Sequence, residues 1–420
     1  INMKIKQIDS LEVLDSRGRP TVCTTVYLED GSRGTAMVPS GASAGSLEAY
    51  ELRDGDNSRY FGLGALNAVT QVKNLSKHLA GIESEDQNKI DTLLIDIDGT
   101  ENKRKVGANA ILSISLACTR ASANSLNISL YEYLNILFNN LTSKEIKFSM
   151  PRPMLNILNG GAHANNNVDI QEFMVIPSDK FSFKDGLCKA TEVYMHLKNN
   201  LEAKKLSTTV GDEGGFAPNF KSNQIVIEEI IRSIEESGMK YGEDIFLGLD
   251  CASSELYKDK KYHLGSEDKN FSSAEMTDYL LNLVDRYQII SVEDPLDESD
   301  WSGWKEFSAK ANNLQIVGDD IFVTNKKLLE KGITEKVANS ILVKPNQIGT
   351  LTETLKTIDL AKSNDYGTII SHRSGETEDT FISDLAVAVD ARQIKTGAPA
   401  RSDRTAKYNR LLIIENELYP

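Results

Sequence analysis

A lysine that directly follows a short apolar run is the first residue in this sequence whose position suggests chemistry. Ile341, Leu342 and Val343 are β-forming residues, and Lys344 comes next, just before a proline. The pattern predicts a buried parallel strand with the lysine at its carboxyl end. Because a buried ammonium group is poorly solvated, we expect Lys344 either to pair with an acid or to have a pKa suited to proton transfer.

Other strand-like runs also end in charged or polar side chains, which makes Lys344 one of a series. In chain order the series is Glu172, Glu213, Asp250, Glu293, Asp319, Lys344, His372 and Lys395. Asp250, Glu293 and Asp319 would repel one another strongly unless a cation lay between them. Because all of their ligand atoms are oxygens, Mg2+ is favoured over zinc. The lysines beside these acids also indicate a single proton-transfer site.

A simpler explanation exists for each residue alone, since an aspartate at a strand end often caps the following helix. Eight such ends in chain order are harder to explain as helix caps. Of the adjacent acids Asp319 and Asp320, we select Asp319 as the metal ligand because it directly follows the run Gln315–Gly318.

The elements that would hold these side chains alternate between strands and helices after residue 152. Strands are predicted at 153–159, 170–177, 245–250, 289–293, 315–319, 340–344, 368–372 and 393–396. Helices are predicted at 183–203, 224–237, 274–287, 301–312, 325–332, 350–363, 381–391 and 402–418. About eight strands separated by helices match a closed β/α barrel of the TIM type better than an open sheet. Only a glycine-containing loop separates the first two strands, so we expect these two to pair antiparallel.

The first part of the chain predicts a smaller α+β domain. Strands at 5–15, 21–29 and 33–39 precede helices at 65–79, 88–97 and 109–123, and the last of these helices is rich enough in Ala and Leu to be buried. We therefore divide the α/β chain into an α+β N-terminal domain, residues 1–142, and a C-terminal β/α barrel, residues 143–420. The small-residue segment 39–45 predicts a flexible surface loop between them in space.

Composition restricts the class of protein. The chain has 47 Lys and Arg residues against 61 Asp and Glu residues, a formal charge of −14, which argues against nucleic acid as the main partner. No apolar run approaches the roughly 20 residues of a membrane span, and no signal peptide is predicted. Four dispersed cysteines without CxxC spacing indicate reduced thiols. We expect a cytoplasmic protein that acts on a small molecule.

Four long motifs give the sequence a resemblance to a known family. They are Gly-Leu-Asp-Cys-Ala-Ser-Ser-Glu at 248–255, Lys-Pro-Asn-Gln-Ile-Gly-Thr at 344–350, Ser-His-Arg-Ser-Gly-Glu-Thr-Glu-Asp at 371–379 and Ile-Lys-Thr-Gly-Ala-Pro at 394–399. The sequence resembles the enolases from Leu14 to Asn409, nearly its whole length. Enolases are glycolytic and gluconeogenic lyases that interconvert 2-phosphoglycerate and phosphoenolpyruvate plus water. The family fold is an α+β N-terminal domain on a barrel that opens with two antiparallel strands.

The resemblance also implies a role for each residue of the series that carries chemistry. It makes Lys344 the catalytic base and Glu213 the general acid. Sites of this superfamily are known to combine a Lys or His base with one or two Mg2+ ions, so that pairing is taken from the family and not from the residues. Two Mg2+ ions per active site are implied. Their ligands by matching motif are Asp250, Glu293 and Asp319 for the first ion and Ser43, in the loop at 41–45, for the second.

Further residues match the family's substrate-binding positions. Arg373 and Ser374 correspond to the phosphate binders, and Lys395 corresponds to the lysine that contacts the substrate carboxylate. Glu172, His163 and Lys395 are also implied in catalysis. The full substrate-binding set is Ser43, His163, Gln171, Glu172, His372, Arg373, Ser374 and Lys395.

The proposed roles require particular pKa values. Lys344 must be neutral when it takes a proton, and a free lysine titrates at about 10.4. We expect Lys395 and the metal charges to lower the pKa of Lys344, against the acids around it. Glu213 can donate a proton if the crowded acids raise its pKa. Closure of the loop at 41–45 would exclude water from the intermediate.

Two other functions are compatible with parts of this pattern. A sugar-acid dehydratase or racemase would share the metal carboxylates but would lack the phosphate set, so His163, Arg373 and Ser374 argue against it. A binding or structural protein could reuse the fold after losing catalysis, but the set from Ser43 to Lys395 is intact. The resemblance further implies at least a homodimer, with octamers in many bacterial relatives, and no residue pattern chooses between the two assemblies.

Overall fold

The first part of the chain forms an antiparallel sheet with helices packed against it. The structure, a computed structural model, describes residues 2–41 and 44–420. Three strands pair in the order β1-β2-β3: β1 (Ile5–Leu14), β2 (Pro20–Leu28) and β3 (Arg33–Met37). Four helices follow: α1 (Leu66–Leu79), α2 (Gln87–Asp98), α3 (Ala108–Ser125) and α4 (Leu130–Thr142). Helix α3 is almost entirely buried, as its Ala- and Leu-rich sequence predicts.

Helix α3 can lie close to the sheet because a glycine faces it. A Cβ atom at Gly34 in β3 would lie 2.2 Å from the backbone nitrogen of Ala121 and 2.4 Å from the carbonyl oxygen of Ala117. Real carbon atoms do not approach backbone atoms so closely, because the repulsion is steep. Gly34 therefore sets the distance between the sheet and its central helix.

The remainder of the chain forms a closed barrel with helices around it. Its eight strands are β4 (Arg152–Asn159), β5 (Glu172–Pro177), β6 (Ile245–Asp250), β10 (Ser291–Glu293), β11 (Gln315–Gly318), β12 (Ser340–Val343), β13 (Gly367–Ser371) and β14 (Arg392–Lys395). Its helices are α5 (Phe183–Ala203), α6 (Asn223–Glu236), α7 (Ser273–Tyr287), α8 (Trp301–Lys310), α9 (Lys326–Glu335), α10 (Pro345–Ile348), α11 (Leu351–Ser363), α12 (Phe381–Ala388) and α13 (Ser402–Leu418). The predicted α/β class, a TIM-like barrel after an α+β domain, is confirmed, whereas the boundary after residue 142 stays a prediction.

One barrel strand runs against the others. Strand β5 pairs antiparallel with both β4 and β6, whereas β4 closes the barrel by pairing parallel with β14. The predicted antiparallel pairing of the first two strands is therefore confirmed. Because β5 is reversed, its first residue lies at the same end of the barrel as the last residues of the parallel strands.

The side chains inside the barrel explain why the polar strand ends share one face. An apolar cluster fills the interior, with Val317 and Leu342 among its members. Side chains two residues apart on a strand point to the same side. Asp319 and Lys344 therefore continue the interior rows of Val317 and Leu342 beyond the apolar layer, at the barrel mouth.

Two features differ from the sequence-based expectation. A small antiparallel sheet of β7 (Tyr257–Lys258), β8 (Lys261–Leu264) and β9 (Lys269–Phe271) was not predicted, since strands this short carry little periodicity. At the start of the predicted surface loop, Ser40 is buried and exchanges backbone hydrogen bonds of 2.9 and 2.8 Å with Gly375, so this residue does not lie in a free loop. Ser43 lies outside the described residues. Within residues 2–41 and 44–420, no helix has the length and apolar character needed to cross a membrane.

We predict that Gly34→Ala lowers the free energy of unfolding by about 3 kcal/mol, because α3 must shift to admit the methyl group. Gly265 is a matched control, since a Cβ atom there meets nothing within 4 Å. Gly265→Ala should leave the stability unchanged or raise it by up to about 1 kcal/mol. Urea unfolding of both variants measures the difference, and equal stabilities would contradict the packing argument.

Candidate active site

The predicted series of charged side chains converges on the barrel mouth. Asp250, Glu293 and Lys395 are the last residues of β6, β10 and β14. Asp319, Lys344 and His372 directly follow β11, β12 and β13. Glu213 is an exception, since it lies in the long connection between α5 and α6 and not at the end of a barrel strand.

Three acids lie side by side because of the strand register. Glu172 is the first residue of the reversed strand β5 and pairs with Asp250 on β6. Asp250 pairs in turn with Glu293 on β10. All three are buried, so their mutual repulsion is weakly screened by water. This arrangement requires a positive charge nearby.

Lys395 supplies that charge from the last barrel strand. Its Nζ atom lies 2.5 Å from Oε2 of Glu172, 2.9 Å from Oδ2 of Asp250 and 2.8 Å from Oε2 of Glu293. Burial alone would lower the pKa of Lys395, but the three carboxylates outweigh it and raise the pKa well above its ordinary value. Lys395 is therefore firmly protonated in this arrangement.

The three acids do not titrate alike, although they share one lysine. Burial would raise the pKa of Asp250, but the charge of Lys395 and the hydrogen bonds of Asp250 with Glu172 and Lys395 lower that pKa. Burial and a neighbouring carboxylate raise the pKa values of Glu172 and Glu293 well above the ordinary range, despite Lys395. The pKa of Asp250 is thus shifted in the opposite direction from those of Glu172 and Glu293.

Lys344 forms a second ion pair at the mouth. Its Nζ atom donates to Oδ2 of Asp319 at 2.8 Å. Burial is the largest influence and lowers the pKa of Lys344, as do the charges of Arg373 and Lys395. The charges of Asp319 and Glu293 oppose them, and the net shift of the pKa is upward. The charge of Lys395 does lower the pKa of Lys344, as expected, but the expected net lowering is wrong for this arrangement, because the acids around Lys344 oppose it.

Glu213 lies among two histidines and an amide. Its Oε1 atom is 3.4 Å from Nδ1 of His163 and 3.3 Å from Nε2 of His372, and its Oε2 atom accepts a hydrogen bond of 2.9 Å from Asn156. Burial would raise the pKa of Glu213, but the two histidines outweigh it and the pKa lies well below the ordinary range. The expected raised pKa is therefore wrong here, and the crowded acids act on Glu172 instead.

His372 itself is neutral at neutral pH. Burial lowers its pKa to about 4, although the nearby Glu213 carboxylate opposes that shift. A neutral imidazole stabilises a carboxylate through the dipole of its N–H group and not through a full charge. Glu213 thus has one neutral imidazole, that of His372, among its neighbours.

The predicted phosphate binders lie at the edge of the same site. Nη2 of Arg373 donates to Oε1 of Glu48 at 3.0 Å, and Nη1 donates to Oδ1 of Asn346 at 2.9 Å. The hydroxyl of Ser374 is 3.1 Å from Nε2 of His163. Glu48 comes from the N-terminal domain, so residues of both domains build this part of the site.

The remaining predicted residues also line the mouth, with one exception. Gln171 is buried beside Glu172, and its side-chain oxygen has no hydrogen-bond partner among the described residues. Ser43 belongs to the two internal positions outside the described residues, so its proposed role as a metal ligand stays a prediction.

Asp294 at the mouth was missed by the sequence reasoning, and Asp320 was set aside in favour of Asp319. Ligand oxygens of Asp294, Asp319 and Asp320 lie within 4.8 Å of one another. Asp294 accepts backbone hydrogen bonds of 2.8 and 3.0 Å from Asp319 and Asp320. Burial and the neighbouring Asp319 raise the pKa of Asp320 to about 8. The adjacent acids in Glu293-Asp294 and Asp319-Asp320 were the signal that could have indicated the second acid of each pair. Asn156, an amide inside an apolar strand, could also have been recognised as a site residue.

The donor set fits a hard divalent cation such as Mg2+. Asp250, Glu293 and Asp319 offer only carboxylate oxygens, and Oε1 of Glu293 is buried without a hydrogen-bond partner. Lys395 holds Asp250 and Glu293, and Lys344 holds Asp319, so the two ammonium groups mark where positive charge is stabilised. Mg2+ prefers oxygen ligands of this kind. Among the described residues, Asp319 belongs to a group with Asp294 and Asp320 whose ligand oxygens lie within 4.8 Å of one another, and this group could hold a metal ion, whereas Asp250 and Glu293 belong to no such group.

The pocket at the mouth carries more acids than cations. It is lined by Glu172, Glu213, Asp250, Asp294, Asp319 and Asp320 together with Lys344, Arg373 and Lys395. A larger cavity of about 840 Å3 opens among Arg152, Pro177, Gln315 and Arg392, at the opposite end of the strands, and contains none of the predicted site residues. The predicted site residues therefore line the smaller, charged pocket and not the larger cavity.

We predict that His372 makes the protein less stable in acid. The unfolded chain binds a proton at about pH 6.5, whereas the folded chain holds the ring neutral to about pH 4. Stability is therefore lost as the pH falls through this interval, by about 2–3 kcal/mol between pH 7 and pH 4.5. Urea unfolding of a His372→Gln variant should show a correspondingly smaller loss. His78→Gln, at an exposed site in α1, is the control, and identical pH dependence in all three proteins would contradict the prediction.

Comparison with known families agrees with this architecture and this donor set. Residues 5–134 match the family model described as the enolase N-terminal domain. Residues 147–419 match the model described as the enolase C-terminal TIM barrel domain. Members of this family use Mg2+, and together the two matches cover most of the chain. The chain therefore belongs to the enolase family.

Proposed function

We propose that this protein interconverts 2-phosphoglycerate and phosphoenolpyruvate plus water, the phosphopyruvate hydratase reaction. The observation that carries the proposal is that Lys344, Glu213, Arg373 and Ser374 line one pocket together with the acid cluster. A base, a proton donor and phosphate-binding groups are the parts that such a reaction needs.

The phosphate group of the substrate would be held by Arg373 and Ser374. The guanidinium of Arg373 offers a planar fork of donors, which suits phosphate geometry better than a lysine does. In the structure the fork donates to oxygen atoms of Glu48 and Asn346 through its two terminal nitrogens. The Ser374 hydroxyl lies beside His163 and adds a short polar group at the same position.

Removal of the proton beside the substrate carboxylate is the difficult step. The carboxylate is already negative, and loss of the proton from carbon 2 places a second negative charge on it. Lys344 would take this proton, and Lys395, which stabilises three acids in the present arrangement, would stabilise the carboxylate. Mg2+ bound to Asp250, Glu293 and Asp319 would supply further positive charge for the dianion and would compete with the lysines for these acids.

Loss of hydroxide from carbon 3 then requires a proton. We assign this proton to Glu213 and include Glu172 as a neighbour, because ligand atoms of Glu172, Glu213 and His163 lie within 4.8 Å of one another. The raised pKa of Glu172, which burial and the charge of Glu213 cause, favours a proton on this group. The pair can therefore hold one proton next to the departing hydroxide, which leaves as water.

The rival reactions of the superfamily require no phosphate group. Arg373 and Ser374 are both buried and both line the pocket, which supports a phosphorylated substrate over a plain sugar acid. A protein without catalysis would not need two buried lysines paired with acids, since such pairs contribute little net stability. These observations favour the phosphopyruvate hydratase reaction over both rivals.

We predict that 2-phosphoglycerate and Mg2+ together produce a rise in ultraviolet absorbance from the enol product. A chelator should stop the rise, and renewed Mg2+ should restore it, because the acid cluster needs a cation for the dianion. Glycerate, which lacks the phosphate, is the control substrate and should give no signal. If well-folded protein leaves 2-phosphoglycerate unchanged in the presence of Mg2+, the proposed reaction is wrong.

We predict that two variants separate the proton steps. Lys344→Ala should slow exchange of the carbon 2 hydrogen with solvent by about 10²–10⁴-fold, because the base is lost. Glu213→Gln should retain part of this exchange while losing dehydration. Proton magnetic resonance of 2-phosphoglycerate in deuterated water measures exchange, and absorbance measures dehydration. Exchange at the unmodified rate in both variants would show that the base and acid assignments are wrong.

A further inference from the structure

Two positively charged side chains of the last helix are fully buried, although neither belongs to the predicted site. Arg404 and Lys407 of α13 are each 0% exposed. Burying a guanidinium or an ammonium group is unfavourable unless acceptors satisfy it. The atoms that these two cations contact therefore indicate why the helix carries them.

Lys407 contacts the turn that follows Arg373. Its Nζ atom donates to Oε2 of Glu376 at 3.0 Å and to the carbonyl oxygen of Thr377 at 2.6 Å. The other carboxylate oxygen of Glu376 accepts a hydrogen bond of 3.2 Å from the backbone nitrogen of Arg373. Lys407 thus fixes the backbone of Arg373 through one buried carboxylate.

Arg404 connects the same turn to the acid side of the site. Its Nη2 atom donates to the carbonyl oxygen of Ser374 at 2.8 Å and to that of Asp212 at 3.2 Å. Asp212 directly precedes Glu213. One guanidinium group therefore links the backbone of a predicted phosphate binder to the backbone beside the predicted general acid.

The connection before α13 is shaped for this close approach. Gly397 has a φ of +88°, and a Cβ atom there would lie 2.8 Å from the carbonyl oxygen of Glu213 and 3.0 Å from Cδ of Arg404. The backbone nitrogen of Ala398 donates to the same Glu213 oxygen at 2.9 Å. The connection after β14 therefore holds the carbonyl group of Glu213, and Arg404 holds that of the preceding Asp212.

We propose that Arg404 and Lys407 are positioning residues of the active site. Lys407 sets the phosphate-binding turn, defined as residues 373–376, and Arg404 fixes that turn relative to Glu213. The inference rests on the proposed function, in which Arg373 and Ser374 bind phosphate and Glu213 donates a proton. Each cation acts through a carbonyl or carboxylate oxygen of the protein and not through the substrate.

Binding of inorganic phosphate tests the proposal without any turnover. Isothermal calorimetry at constant ionic strength should show that Arg404→Met and Lys407→Met weaken phosphate binding by about tenfold. Arg410→Met is the matched control, because Arg410 lies on the same helix but donates to Asp384, at 2.8 Å, and not to the turn. Its affinity for phosphate should stay within about twofold of the unmodified protein.

Kinetics with 2-phosphoglycerate separate positioning from general support of the fold. Lys407→Met should raise KM more than it lowers kcat, whereas Arg404→Met should lower kcat as well, since it loses its contact beside Glu213. Arg404→Lys should recover part of the activity, because one ammonium group can reach only one of the two carbonyl oxygens. A uniform loss in all three Met variants, or unchanged phosphate affinity in folded Arg404→Met and Lys407→Met, would overturn the proposal.

Loss of a buried cation can also destabilise the fold, because its acid is left unpaired. The double variant Lys407→Met/Glu376→Gln removes that unpaired charge and keeps an acceptor for the Arg373 backbone. We expect it to fold and still to bind phosphate more weakly, because the Thr377 carbonyl has lost its donor. Native affinity in this double variant would refute the role of Lys407. If unmodified protein fails to bind phosphate, the proposed phosphate site is wrong, and this outcome differs from failure of the positioning role.

Discussion

Repulsion among buried carboxylates at the barrel mouth is the constraint on which the rest of this structure depends. Two unit charges 4 Å apart interact by about 4 kcal/mol at an effective dielectric constant of 20, so several such pairs would oppose folding. The barrel distributes the acids over separate strand ends, and Lys395 and Lys344 each neutralise part of the cluster. Burial of the lysines is possible only because these acids are present. Acids and lysines thus depend on one another for their place in the fold.

The same electrostatics decides which groups hold protons. Asp319 can pair with Lys344 or with a metal ion, and the lysine is a base only when its lone pair is free. The pKa of Lys344 is raised, because the charges of Asp319 and Glu293 oppose burial, so the first pairing keeps the lysine protonated. The acid side is arranged differently, because Glu213 lies between His163 and His372 and accepts a hydrogen bond from Asn156. The base thus faces an exchangeable counter-charge, whereas the neighbours of the acid are residues of the fold itself.

Sequence reasoning could predict the strand ends because the local sequence determines them, through short apolar runs and the alternation of side chains along a strand. The runs before Asp319 and Lys344 are apolar, and alternation along a strand places both side chains at the mouth. The contact of Glu48 with Arg373 could not be predicted, since 325 positions separate them and only packing of the two domains brings them together. The sign of the shift at Glu213 also depended on its histidine neighbours, and counting acids along the sequence could not reveal them.

The contacts of the segment at 373–375 show why the N-terminal domain belongs to the site and is more than a cover for it. Ser40 pairs with Gly375, the hydroxyl of Ser16 approaches the carbonyl oxygen of Ser374 at 3.4 Å, and Glu48 binds Arg373. These contacts come from three separate places in the first domain, whereas the barrel supplies Lys344 and the acids. Since a forked donor must be oriented before it can select phosphate, orientation by two domains makes the phosphate end sensitive to how they pack. Lys344 and the acids Asp250, Glu293 and Asp319, by contrast, lie at the ends of barrel strands.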